Sequence, residues 1–242
     1  SLSGTIPLGF KEISSLQTLD LGQNFNFAGP IWEHLSSMPN LQKLDCFQTN
    51  MADTVLPSDI AKFSSLKVLR LQGKDFHGSV PSSIGWMSSL SILEIIKIGV
   101  SGTIPSEIGL CTKLEKLSLS TTGINGTIPT SIGMLTNLEK LGLFENDLSG
   151  TLPTEIGKLE NLETLLLGDN PNLGGTVPTE FGNLVNARDI VLHSTGFHGT
   201  MPLEVCQTVA RRPDILVLKI SCRFIDETTT LLCPENCLCG CV

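Results

Sequence analysis

Proline recurs through this 242-residue chain on a near-constant beat, at Pro7, Pro30, Pro57, Pro81, Pro105, Pro129, Pro153, Pro178 and Pro202. From Pro57 onward the steps are 24 or 25 residues. Each beat carries the phrase L-x-x-L-x-L-x-x-N-x-L-x-G-x-I-P, cleanest from Leu138 through Leu141, Leu143, Asn146, Leu148 and Gly150 to Pro153. A repeat of this length cannot bury its own apolar face; it must stack on copies of itself, which makes a solenoid. In such an architecture, function lies on a continuous surface rather than in a pocket.

Nine rungs align on their strand segments, starting at Leu16, Leu41, Leu66, Leu90, Leu114, Leu138, Leu162, Ala187 and Ile215. Alternation within L-x-x-L-x-L turns Leu117 and Leu119 inward and Lys116, Ser118 and Ser120 outward, the period of a short strand. One parallel strand per rung gives a sheet of about 40 Å at ~4.8 Å per strand. The Asn position follows the strand, where a carboxamide satisfies backbone groups freed by the turn. Asn24, Asn146 and Asn170 occupy it, Thr49, Thr122 and Thr195 partly replace it, and Lys74 and Ile98 do not.

The I-P-x-x-I-G segment is expected to form a short helical turn, with proline at its first helical position. Asp59, Glu107, Glu155, Glu180 and Glu204 then sit near a positive helix start. Gly85, Gly109, Gly133, Gly157 and Gly182 are expected as left-handed stops at its end.

At these residues the chain resembles the plant-type leucine-rich repeats of receptor-like kinase ectodomains, receptor-like proteins and polygalacturonase-inhibiting proteins. The resemblance spans about residues 1–205. It implies an α/β repeat solenoid: a right-handed superhelix of about nine rungs, with a concave parallel sheet and a second short strand around L-x-G-x-I. Short 3-10 or helical turns form the convex side. The cysteine-rich tail is similar to the ends of leucine-rich repeat proteins from diatoms and related algae. Residues 1–205 are thus read as solenoid, opening in mid-repeat as a piece of a longer protein, and residues 206–242 as a C-terminal cap.

Composition narrows the function classes. The chain has 16 basic and 24 acidic residues, net −8, with Arg211-Arg212 its one basic doublet. Nucleic acid is not an expected partner, since phosphate binding needs a positive stripe. No apolar run reaches the ~18 residues of a membrane span, so any membrane attachment is expected through segments outside this chain. Cys46 and Cys111 replace core residues within rungs. Cys206, Cys222, Cys233, Cys237, Cys239 and Cys241 cluster in the tail and are disulfide candidates, with zinc as the alternative. Asn125-Gly126-Thr127 is the one N-glycosylation sequon. These features point to the secretory pathway and an extracellular or cell-surface setting.

No phosphate loop, dinucleotide fingerprint or zinc-protease motif is present. His77 and His198 share a repeat position but lie five rungs apart, about 24 Å at one strand spacing per rung. Ser194, His193 and Asp169 fall together, but parallel rungs are expected to point them the same way rather than at each other. No catalytic residue, cofactor or metal is therefore expected.

Stacking aligns the outward residues into columns. One holds Asp45, Arg70 and Glu94, alternating in sign, which reads as a cross-rung ion ladder. The next holds Phe47, Gln72, Ile96, Phe144 and His193; Phe47, Ile96 and Phe144 are expected to face solvent as an apolar contact strip. The last holds Gln48, Lys97 and Glu145. All of these except Asp45 form the expected ligand-binding set of a non-catalytic domain that recognises a protein or peptide. Two alternatives are carbohydrate or enzyme-inhibitor binding, and the sensor of a receptor-like kinase whose kinase lies outside the chain. The sugar reading is poorly served by a chain with no Tyr and two Trp.

Overall fold

A computed structural model describes residues 3–27, 29, 31–35, 38–49, 54–73, 76–97, 99–210, 218–220, 231–232 and 240–241. A ten-stranded parallel sheet runs the length of the chain. Its strands are, in spatial and sequence order, Thr18–Asp20, Lys43–Cys46, Val68–Gln72, Ile92–Ile96, Lys116–Ser118, Lys140–Gly142, Thr164–Leu166, Asp189–Val191, Leu218–Ile220 and Gly240–Cys241. Nine rungs were expected; Gly240–Cys241 pairs with Leu218–Ile220 and adds a tenth strand from the tail. Nine spacings of ~4.8 Å make the sheet about 43 Å long.

A second parallel sheet follows the L-x-G-x-I segments. It comprises Thr54–Val55, Phe76–Ser79, Gly99–Thr103, Gly123–Gly126, Asp147–Thr151, Asn170–Gly175 and Thr195–Phe197. The extra residue near Pro171 is taken up as a register slip between Asn170 and Gly174. Between the two sheets and the convex turns lies one continuous core. Leu69, Leu93, Leu117, Leu141 and Leu165 are fully buried at one strand position, and Ile84, Ile108, Ile132 and Ile156 are fully buried beneath the turns. Each such leucine contributes about 1.5–3 kcal/mol by leaving water, but only because a neighbouring rung covers it.

The convex side corrects two expectations. Its turns are 3-10 helices, among them Ser82–Trp86, Ser106–Leu110, Thr130–Met134, Thr154–Lys158 and Thr179–Asn183. Proline stands one position earlier than expected, at the cap: Pro129 is extended, with ψ 143°, and its carbonyl accepts from Ile132 N–H at 3.0 Å. The second correction concerns the glycines. Gly85, Gly109, Gly133, Gly157 and Gly182 are not left-handed stops; they lie inside the helical turns with ordinary φ. Their role is close approach: a Cβ on Gly133 would lie 2.6 Å from the Glu155 carbonyl oxygen of the next rung. Left-handed glycine occurs instead in L-x-G-x-I-P, as at Gly150 with φ 76°.

The asparagine position works as the sequence implies. Asn170 is fully buried and its Nδ2 donates to the carbonyls of Leu167 at 2.8 Å and Leu143 of the previous rung at 2.9 Å. Its Oδ1 accepts from Leu148 N–H at 3.1 Å. Asn146 repeats the pattern, donating to Leu143 and Leu119 and accepting from the Thr122 hydroxyl at 2.7 Å. Thr49, Thr122 and Thr195 donate to the carbonyl three residues back, at 2.9, 3.2 and 2.6 Å. Lys74 and Ile98 lie outside the described residues. A second asparagine ladder was not anticipated: Asn40, Asn137, Asn161 and Asn186, each just before its rung's first core residue, donate to carbonyls of the preceding rung at 2.8–3.1 Å.

The two ladders differ in burial and hence in expected cost. Asn146→Ala leaves buried carbonyls unpaired and is expected to lower unfolding stability by about 2–4 kcal/mol. The exposed bond of Asn137 predicts a loss under ~1 kcal/mol for Asn137→Ala. Gly133→Ala, by overpacking, is expected to cost about 1–3 kcal/mol. Urea unfolding midpoints of the three variants test this ranking.

Candidate recognition surface

Strand register places Asp20, Asp45, Arg70, Glu94, Ser118, Gly142, Leu166, Val191 and Lys219 side by side on successive strands. At its N-terminal end this column is an ion network wider than the expected ladder. Lys43 Nζ lies 2.8 Å from Asp20 Oδ2 and 3.4 Å from Asp45 Oδ2. Arg70 Nη1 is 3.5 Å from Asp45 Oδ2, and Arg70 Nε is 2.8 Å from Glu94 Oε2, in an ion pair whose angle falls outside that of a hydrogen bond. Lys43 was missed because it sits at the first strand position, one column away from the acids it bridges. Asp20, Asp45, Phe47, Arg70 and Glu94 line a concavity of about 430 Å³.

The Lys43 ammonium, helped by the Gly22 N–H, holds the Asp20 carboxyl below its usual range; Asp20 in turn raises Lys43. Asp45 is buried, at 7% exposure, while Asp20 is open to solvent. The network is therefore anchored at its centre and screened at its edge.

Farther along, Phe144 and His193 sit two rungs apart in one column, with Gly168 between them. Because Gly168 has no side chain, the two rings lean together edge to face, with centroids 5.6 Å apart. A Cβ on Gly168 would lie 3.2 Å from His193 Cε1. His193 Nδ1 is 3.5 Å from Asp169 Oδ1 on the neighbouring rung. This corrects the expectation that parallel rungs keep His193 and Asp169 from pointing at each other. Ser194 makes no hydrogen bond to His193. Thr121 Oγ1 donates to Glu145 Oε2 at 3.0 Å, which ties a further pair of rungs together.

The third column has a backbone signature that side-chain pattern did not reveal. Gln23, Gln48, Lys97, Thr121, Glu145, Asp169 and Ser194 all take left-handed φ, between 53° and 60°. They are the residues that turn the chain out of the sheet just before the Asn position. Non-glycine residues seldom adopt this conformation, and a cost of roughly 1 kcal/mol each is borne for a fixed exit angle.

The apolar strip also differs from expectation. Phe47, Ile96 and Phe144 are half-buried, not thrust into solvent. The exposed apolar column is on the convex side, where Trp86, Leu110 and Met134 follow Gly85, Gly109 and Gly133 on consecutive rungs, with exposures of 70%, 45% and 52%. The signal was present in the repeat, as bulky residues directly after I-G. Gln48, Gln72 and His193 are half-buried, whereas Lys97 and Glu145 are exposed. A groove of about 760 Å³ runs where the strands begin, lined by stacked Glu115, Glu139 and Glu163 and by Asn137, Asn161 and Asn186. It too was not anticipated.

Cys46 and Cys111 are buried free thiols, as their core positions implied. The disulfide candidates Cys206, Cys222, Cys233, Cys237, Cys239 and Cys241 have side chains outside the described part. Among the described residues no His, Cys, Asp and Glu group could hold a metal ion, and no helix is long and apolar enough to cross a membrane.

Two predictions follow from this chemistry. Asp20 is depressed in the folded state, so its pair with Lys43 adds stability above the ordinary carboxylate value of ~3.9. That increment is lost as pH falls through the depressed value. Lys43→Met is expected to cost up to ~0.5 kcal/mol at pH 7, and less as pH falls through the depressed Asp20 value, by paired unfolding curves. Burial raises the Cys46 thiol and pushes Cys111 up to about 11. Iodoacetamide at pH 8 is therefore expected to alkylate neither until the chain unfolds, as read by peptide mass mapping.

Residues 137–159 match the family Leucine Rich Repeat. None of the curated proteins matches the chain. A plant peptide hormone receptor, RGFR1 in complex with RGF2, aligns at 26% identity and TM-score 0.80, covering 90% of this chain and 38% of that one. The Arabidopsis receptor kinase HAESA, with the peptide hormone IDA and co-receptor SERK1, aligns at 26% identity and TM-score 0.78, covering 93% and 38%. This chain therefore spans well under half the length of those two receptor structures. A plant ice-binding protein shares the fold at 20% identity and TM-score 0.63, over 100% of this chain and 79% of that one. Fold alone thus does not choose a ligand. The chain is a leucine-rich repeat solenoid, similar in repeat and architecture to the ectodomains of plant receptors.

Proposed function

We propose that this chain is a non-catalytic recognition domain of an extracellular, receptor-like or secreted protein, and that it binds a protein or peptide on its concave sheet. The observation that carries the reading is the pairing of two built patches on one rigid sheet. One is the charged concavity around Arg70; the other is the Phe144–His193 pair beside Glu145 and Asp169. Hormone complexes of the similar receptors RGFR1 and HAESA support a peptide as the ligand class.

Phe47 and Phe144 lie four rungs apart, about 19 Å at one strand spacing per rung. An extended segment of roughly six residues covers that distance. Phe47, Gln48, Arg70, Gln72, Glu94, Ile96, Lys97, Phe144, Glu145 and His193 would supply the contacts. Half-burial of the two phenylalanines suits this role, since anchors that are already partly ordered lose less side-chain entropy on binding.

A displayed random-peptide library selected on the intact chain provides the probe. Phe144→Ala and Phe47→Ala are each expected to weaken the selected peptides tenfold or more, the scale of a hot-spot loss, while circular dichroism at the assay temperature shows each variant still folded. Trp86→Ala, on the convex side, is expected to leave affinity unchanged. Peptides that keep full affinity for both phenylalanine variants would place recognition elsewhere.

A further inference from the structure

The concave reading leaves the second sheet without a role, and that sheet carries the chain's single N-x-T sequon. We propose that Asn125 is a modification site bearing an N-linked glycan that projects from this flank. The proposal rests on the extracellular setting proposed above.

A glycan added to an unfolded chain must find open space once the chain has folded, and many sequon asparagines would not offer it. Asn125 does. It lies on the strand Gly123–Gly126 and is exposed, while its neighbours alternate inward: Ile124 is fully buried. Among the described residues no hydrogen bond engages its carboxamide, unlike those of Asn137, Asn146, Asn161 and Asn170. Thr127, the hydroxyl residue of the sequon, is exposed as well. Between them Gly126 takes φ 73°, and the Thr103 methyl of the preceding rung occupies the space its side chain would need, so Thr103 packs on the middle of the sequon while Asn125 and Thr127 stay exposed.

The surroundings fit a neutral, hydroxyl-rich substituent. Register places Thr103 on one side of Asn125 and Asp147 on the other. The outward residues of the three central strands are otherwise Gly99, Ser101, Gly123, Ser149 and Thr151, small and uncharged. A first sugar has room beside these side chains, and their hydroxyls can hydrogen-bond to it. At the same repeat position other rungs carry His77, Ser101, Ser149, Gly174 and His198, so the site occurs on one rung alone.

The reaction is a group transfer. Asn125 Nδ2 forms a bond to the anomeric carbon of an oligosaccharide carried on a lipid pyrophosphate. The bond from that carbon to the pyrophosphate oxygen breaks, the pyrophosphate leaves with the electron pair, and the amide gives up one proton. The lipid-linked oligosaccharide and its transferase belong to the secretory pathway.

The test is translation of the full chain, behind a cleavable signal peptide, in the presence of microsomes. The translocated, protease-protected pool is analysed by gel and by peptide mass mapping, with and without an amidase that removes N-glycans. Expected for the wild type and for Thr127→Ser is one mass increment removed by the amidase, leaving Asp at position 125. Asn125→Gln and Thr127→Ala are expected to lose the increment while remaining translocated. An unmodified Asn125 in translocated wild-type chain overturns the proposal. Peptide binding is measured separately on Asn125→Gln, which is expected to bind as the wild type does; loss of concave binding with Asn125 still modified would count against the recognition reading alone.

Discussion

The structure of this chain depends on how closely neighbouring coils can stack. Hydrogen bonding sets that distance on the concave side, where parallel strands pair in register from Thr18–Asp20 onward. The convex side has no such backbone ladder; single side-chain bonds, such as Ser131 Oγ to the Ser106 carbonyl at 2.6 Å, link some turns, and contact limits how closely they can stack. At Gly133 the next rung's Glu155 backbone occupies the space a methyl group would need. The same relation holds from Gly109 to Ser131 and from Gly157 to Glu180. These glycines let the convex turns approach more closely than any side chain would allow. With a bulkier residue the convex turns would spread, and the concave sheet would curve more tightly.

The core and the sheet were legible because both depend on side-chain type. Leucine at alternate strand positions and asparagine at the exit can be read directly, and Asn146 and Asn170 make the bonds their position implies. The convex glycines could be counted but not interpreted. Glycine serves both left-handed turns and close packing, and a sequence does not say which is needed. Proline was misplaced by one residue for a similar reason, since its fixed φ suits the cap of a turn as well as its first position.

The surface was less legible because it depends on pairs. Lys43 bridges two acids from an adjacent column, and His193 reaches Asp169 and Phe144 only because Gly168 leaves a gap. Aligning columns shows which residues neighbour each other along the solenoid, not which way a long side chain leans. The same gap lies beside Phe144, which is half-buried; Phe47, also half-buried, has Gly22 on one neighbouring rung. On a sheet with small residues at intervening rungs, large ones fold down onto their neighbours rather than stand up into water.

The left-handed residues that close each strand separate shape from chemistry. Gln, Lys, Thr, Glu, Asp and Ser all occupy this one conformation on different rungs, and the backbone leaves the sheet at nearly the same angle each time. Their side chains are not part of the core, so exchanging one for another changes what the rim presents without altering how the coil closes. Selection can thus rewrite this edge on a frame that does not respond to it, rung by rung except where neighbours bond, as Thr121 does to Glu145.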